Sequence, residues 1–123
     1  MCQKLINTAR KYINTDSKNQ HVSLIVYKNK VLSVGRNSYK KTDRFAQIHK
    51  FQNFFYIHSE LNAIKKVYRY VDLSKVTLIN MRFSKDSEQL LMARPCNDCM
   101  NLISAFNIKR VIYSDRSGKL VKL

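Results

Sequence analysis

Between Ser59 and Tyr113 the chain switches hydrophobic period from helix to strand and back again, and this alternation restricts the fold more than any other feature. From Ser59 to Val71, Leu61, Ile64, Val67, Tyr68 and Val71 recur at helical spacing, with Lys65, Lys66 and Arg69 on the opposite face. Val76 to Met81 is a short apolar run typical of a buried strand. Pro95 opens the next helical stretch, whose apolar face is Met100, Leu102, Ile103 and Phe106, and Asn107 suits the left-handed conformation that ends helices. Val111 to Tyr113 is again a strand. A helix-strand-helix-strand centre covers both faces of a sheet, which is the three-layer α/β/α arrangement.

The flanks extend this core. From Gln3 to Asn14, Leu5, Ile6, Ala9 and Ile13 form one stripe of an amphipathic helix, broken by the polar run from Asn14 to Asn19. Val22 to Tyr27 and Val31 to Val34 are short β-branched runs that Lys28-Asn29-Lys30 can join as a hairpin. At the other end, Arg116-Ser117-Gly118 leaves too little chain for a crossover, so a strand in Lys119 to Leu123 pairs antiparallel with Val111 to Tyr113 if the two are neighbours. The expected order is αββαβαββ, an α/β fold with a mixed five-stranded sheet and antiparallel terminal strands. Gly35 to Ile57 has no clear period and reads as a long loop, and Ser84 to Ala93 as an irregular connection carrying Asp86 and Glu88.

A chain of 123 residues, 45% hydrophobic, fits one domain over residues 1–123, and two glycines and one proline argue against low-complexity segments. Lys4 and Arg10 interrupt the N-terminal apolar residues, so no signal peptide is expected, and no run approaches the roughly 20 apolar residues of a membrane span. Three cysteines, two of them in a Cys-x-x-Cys pair, fit a metal site in a reducing compartment better than a disulfide framework, which points to the cytoplasm. The balance of 23 Lys and Arg against 8 Asp and Glu, a formal charge of +15, favours a phosphate-bearing partner. A merely soluble basic surface is the alternative.

His58-Ser59-Glu60 begins the second expected helix and Pro95-Cys96-Asn97-Asp98-Cys99 the third, so two helix N-termini aim at one place. Cys96 and Cys99 sit on one side of the first helical turn and can share a tetrahedral metal, and both the helix N-terminus and the metal favour the thiolate form. His58 supplies a third ligand and leaves one position for water, as in catalytic rather than structural zinc sites. Glu60 is then better used to carry protons than to bind the ion. The competing readings are a structural zinc site completed by Cys2, His21 or His49, or simply buried cysteines.

His-x-Glu followed by Pro-Cys-x-x-Cys resembles the zinc-dependent cytidine deaminase-like superfamily, and the αββαβαβ core of that superfamily matches nearly the whole chain. The resemblance implies zinc held by His58, Cys96 and Cys99, with Glu60 moving protons during hydrolytic deamination at C4 of cytosine or C6 of adenine. Asn37, in Gly35-Arg36-Asn37, resembles the asparagine that in many relatives bonds the substrate's sugar. Ser59 stands where many relatives have alanine. The closely spaced last strands look like the cytidine deaminase and related small bacterial, viral and toxin-type branches, which makes cytosine the preferred base.

The loop adds Arg36, Lys40, Lys41, Arg44 and Lys50 against the single acid Asp43, interleaved with Tyr39, Phe45, Phe51, Phe54, Phe55 and Tyr56. Stacking on aromatics beside a cationic track is how single strands are bound, whereas the bland alternative is a solvated loop anchored to the core or to another subunit of a homo-oligomer. The substrate contacts expected are Asn37, Arg36, Tyr39, Arg44 and Pro95, while His21 and His49 read as ordinary surface or loop residues. Three functions remain open: cytosine deamination in a nucleotide such as deoxycytidylate or in a single-stranded nucleic acid, adenine deamination in RNA, and a silent deaminase fold that binds nucleic acid.

Overall fold

The computed structural model describes residues 2–13, 20–38, 44, 57–86 and 89–123. Helix α1 spans Cys2–Arg10, the hairpin strands β1 and β2 span Gln20–Tyr27 and Lys30–Arg36, and helix α2 spans Ser59–Lys65. Strands β3, Thr77–Phe83, and β4, Leu90–Leu91, precede helix α3, Asn97–Ala105, and β5, Arg110–Ser114, and β6, Leu120–Lys122, close the order.

The sheet runs β2-β1-β3-β5-β6, with β4 added to the end of β3. Among the described residues, only β3 and β5 are parallel, joined by the crossover through α3, while β1 pairs antiparallel with both β2 and β3, and β6 antiparallel with β5. The hairpin turn needs two left-handed residues, which Lys28 and Asn29 supply at φ 47° and 65°, the sense that matches strand twist.

Strand alternation then divides the core. Val22, Leu24 and Val26 of β1 join Ile79, Met81 and Phe83 of β3 against Leu5 and Ala9 of α1. On the other face Ile25 and Leu78 pack with Leu61, Ala63 and Ile64 of α2 and Cys99, Leu102 and Ile103 of α3. The three layers and the antiparallel terminal strands agree with the sequence reading. Among the described residues, no helix is long and apolar enough to cross a membrane.

Three details correct it. Among the described residues the sheet has six strands rather than five, because Leu90–Leu91, within the stretch read as irregular, pairs with Arg82 and Phe83. The helix expected to reach Val71 stops at Lys65 and continues as turns, where Val67, Tyr68, Tyr70 and Val71 are all weak helix formers. Pro95 does not open α3: Cys96 is the N-cap and Asn97 the first helical residue, with Pro95 buried one position earlier. Asn107, at φ 65°, does terminate that helix in the left-handed region.

One edge of the sheet gathers the start of β1, the end of β2 and the end of β3. His21 lies opposite Arg82 and Val22 opposite Arg36. The N-termini of α2 and α3 meet there.

Candidate active site

After β2 the backbone of Ser38 bonds reciprocally with Ile57, at 2.9 and 3.0 Å, and this bridge delivers the chain to α2. His58 is the N-cap in extended conformation, φ −89° and ψ 142°, and its carbonyl accepts from Asn62 N at 3.0 Å. Glu60 therefore falls in the first turn, where the helix field favours an acid, and its residue is only 6% exposed. The helix sits directly on β2, Ser33 Oγ donating to Ala63 O at 2.8 Å.

Helix α3 starts in the same way. Ala93 N donates to Ser114 O at 2.8 Å, which ties the approaching chain to the end of β5. Cys96 is the N-cap, φ −68° and ψ 169°, with its carbonyl accepting from Met100 N at 2.8 Å. Cys96 is exposed, whereas Cys99, three residues on, is buried in the helical core cluster.

The two helix starts bring Cys99 Sγ to 3.4 Å from His58 Nδ1. Ligand atoms of His58, Glu60 and Cys99 all lie within 4.8 Å of one another. Cys96 lines the same cavity but stands outside that tightest group. Burial pushes the Cys99 thiol well up from its ordinary value, and the nearby Glu60 and Cys96 raise it further. A buried thiol in such surroundings ionises only beside a cation, and a mixed nitrogen and sulfur donor set is the one that suits zinc.

A cavity of about 160 Å³ opens onto this group, lined by His21, Asn37 and Asn80, by the motif residues His58 to Glu60, and by Arg94, Cys96 and Cys99. Asn37 is buried, and its Oδ1 accepts from His21 N at 3.0 Å, which fixes the side chain across the hairpin. Behind Glu60 lies a buried polar cluster: Ser59 Oγ donates to Glu60 Oε1 at 3.1 Å, and Asn80 Nδ2 to Glu60 Oε2 at 3.3 Å.

Not every expected contact reaches the cavity. Arg36 is exposed, its backbone N–H bonded to Asn62 Oδ1, and it does not line the cavity; nor does the buried Pro95. Arg44 is an exposed helical residue, and Tyr39, His49 and the aromatic residues of the loop lie outside the described residues. His21, read as an ordinary surface residue, instead lines the cavity, and burial lowers its imidazole below the ordinary value despite the opposing pull of Glu60. Asn80 and Arg94 went unnoticed in the sequence, where neither has a spacing that singles it out.

The model of the cytidine and deoxycytidylate deaminase zinc-binding region matches residues 1–115. The chain belongs to this deaminase family. Its fold is similar to the solved dCMP deaminase from the cyanophage S-TIM5 in apo form, 21% identical at a TM-score of 0.58, covering 93% of this chain and 79% of that one. The same phage enzyme in complex with dCMP and dUMP matches at 18% identity and a TM-score of 0.62, covering 94% of this chain and 81% of that one. A sequence search among curated proteins finds no match. Zinc-dependent cytosine deamination is thus the activity of the family, and in this deaminase His58, Glu60 and Cys99 form a group able to hold the ion.

Proposed function

We propose that this deaminase converts cytosine to uracil in a phosphate-bearing nucleotide of the deoxycytidylate kind. The observation that carries the reading is the size and lining of the cavity. At about 160 Å³ it is close to the roughly 150 Å³ that accommodates a single benzene ring, and the proposed proton carrier and metal ligands are on its wall. A lone pyrimidine ring fills such a space, which supports cytosine over the two-ring adenine.

His58, Cys96 and Cys99 hold the zinc, and Glu60 is the general base and acid. Zinc held there would supply a water acidic enough to react at neutral pH. Glu60 takes one proton from the attacking water and gives it to the ring nitrogen, then takes the second from the new C4 hydroxyl and gives it to the leaving amine. Water adds at C4, the bond from C4 to the exocyclic nitrogen breaks, and ammonia departs, so atoms and charge balance. Asn37 contacts the sugar. Arg94, an exposed cation lining the cavity, meets the phosphate. The phage dCMP deaminase solved with dCMP and dUMP has the same fold, which supports a nucleotide substrate here.

The test is ammonia release by zinc-loaded protein from cytidine, deoxycytidine, their monophosphates, adenosine, and single-stranded DNA and RNA, with Glu60→Gln as control. Deamination of deoxycytidylate in preference to deoxycytidine, lost in the control, is the expected result. Faster turnover of a single strand would move the substrate to the polymer, consistent with the charge of +15. Adenosine turnover alone, or none on any cytosine substrate, would overturn the assignment.

A further inference from the structure

Ligand atoms of Glu60, His58 and Cys99 all lie within 4.8 Å of one another, so distance alone does not stop the carboxylate from closing on the ion as a protein ligand. Carboxylates are ordinary zinc ligands, and one that closed here would occupy the position a catalytic site keeps open. Something must hold it back.

Both carboxylate oxygens are engaged, one from the sheet and one from the helix that carries Glu60. Asn80 Nδ2 donates to Oε2 at 3.3 Å and Ser59 Oγ to Oε1 at 3.1 Å. The Asn80 amide cannot turn over, because Nδ2 also donates to the carbonyl of Ala93 at 2.8 Å, an atom that only accepts, and Oδ1 accepts from Ser23 Oγ at 2.6 Å. Ser23 and Ser59 are themselves 2.8 Å apart, and all three residues are at most 1% exposed. Such a cluster is costly to bury unless every member is bonded, and it resists rearrangement. It also spans the site: Ser23 comes from β1, Asn80 from β3, Ser59 from α2, and Ala93 from the segment leading to Cys96.

We propose that Asn80, with Ser59 and Ser23 behind it, is a positioning residue that keeps the Glu60 carboxylate off the metal and aimed into the cavity. The proposal rests on Glu60 being the proton carrier and His58, Cys96 and Cys99 the ligands. Ser59 Oγ is the donor to Oε1, so this hydroxyl is part of how this chain holds its acid.

The experiment measures zinc release from the full-length, zinc-loaded protein to a chelator, together with kcat and KM on deoxycytidylate, for Asn80→Ala, Ser59→Ala and each combined with Glu60→Gln. With the restraint gone, Glu60 closes on the ion. Asn80→Ala should therefore lose kcat by roughly 10- to 100-fold with KM nearly unchanged, and release zinc more slowly by a similar factor. Ser59→Ala should move both in the same directions and less. In the Glu60→Gln background the slowing of zinc release should vanish.

A merely structural role predicts the opposite sign, since a loosened site loses its metal faster, with or without Glu60. Faster or unchanged release in both Asn80→Ala and Ser59→Ala overturns the proposal, as does slowing that persists in the Glu60→Gln background. Should Asn80→Ala fail to fold, the Ser59→Ala comparison decides alone. A wild type that deaminates nothing, yet shows the Glu60-dependent slowing, removes the proposed substrate and leaves the positioning intact. A wild type active on deoxycytidylate with a flat chelator comparison does the reverse.

Discussion

Gly35 and Ser59 are so close that no side chain fits between them: a Cβ built on Gly35 would lie 2.1 Å from the Ser59 carbonyl oxygen and 2.4 Å from Ala63 N. Both obstacles are helix backbone, which cannot turn aside as a flexible side chain would. Strand β2 and helix α2 are thus in contact at the turn that carries Glu60. Gly35→Ala has to push that helix away, at a cost of about 1–3 kcal/mol or more. The expected result is a fall in Tm of about 5–10 °C together with weaker zinc binding, read by thermal unfolding and metal titration. An unchanged Tm with normal zinc affinity would show that the helix is not held at this point.

Cys96 and Cys99 divide the work unequally. Cys99 is buried against His58 and belongs to the core cluster, whereas Cys96 is exposed at the helix cap. Cys96→Ser and Cys99→Ser should each weaken zinc binding by roughly 100-fold or more, because each removes a proposed ligand. They should differ without metal. In chelator-treated protein Cys99→Ser lowers stability, since it buries a hydroxyl where a thiol packed, and Cys96→Ser leaves it nearly unchanged. Unfolding curves of the two metal-free variants decide this. Full zinc occupancy in either variant would remove that cysteine from the ligand set.

The order of elements was readable because period and motif coincide: each half of the motif falls where an apolar stripe of period 3.6 begins. The short strand Leu90–Leu91 was not, since two residues are too few to display an alternation. Ser23 and Asn80 are the instructive cases. Each is a lone polar residue inside an apolar strand, and along the sequence it looks like a solvent-facing position. Only when α2 and α3 cover that face of the sheet do both become buried, Asn80 as a partner of Glu60 and Ser23 as a partner of Asn80 and Ser59. His21 and Arg94 were hidden for a related reason, because they reach the cavity through strand register and the approach to α3, neither of which leaves a spacing in the chain. The basic aromatic loop drew attention by composition alone, and Tyr39 with its aromatic neighbours lies outside the described residues.

The last turn of the sheet gives a pH dependence of known sign. Asp115 accepts from Ser117 N at 2.9 Å, Ser117 Oγ at 2.7 Å and Lys119 N at 3.0 Å, and these bonds, the Ser117 hydroxyl first, lower its carboxyl below the ordinary value of 3.8. A carboxyl depressed in the folded state contributes stability above its unfolded value, and that contribution is lost as pH falls through the folded one. Asp72 behaves alike through Ser74. The urea midpoint should therefore drop on acidification below 3.8, and drop less in Asp115→Asn, which keeps an acceptor but no longer titrates. Equal slopes in the two proteins would mean that the turn does not contribute.

On the proposed reading, Arg94 separates recognition of the phosphate from recognition of the base. It is exposed, lines the cavity and follows Ala93, whose backbone is fixed on both sides by Ser114 O and Asn80 Nδ2. The backbone under the guanidinium is therefore rigid while the side chain reaches solvent. A charge-assisted bond between guanidinium and phosphate contributes about 1.5–3 kcal/mol, roughly 10- to 150-fold in binding. Arg94→Ala should raise KM for deoxycytidylate by that order with kcat little changed, and leave deoxycytidine kinetics as in the wild type. Arg94→Lys should recover part of the loss, because a single ammonium replaces a fork of donors. If nucleoside and nucleotide suffer equally, Arg94 supports the cavity wall and the phosphate is met elsewhere.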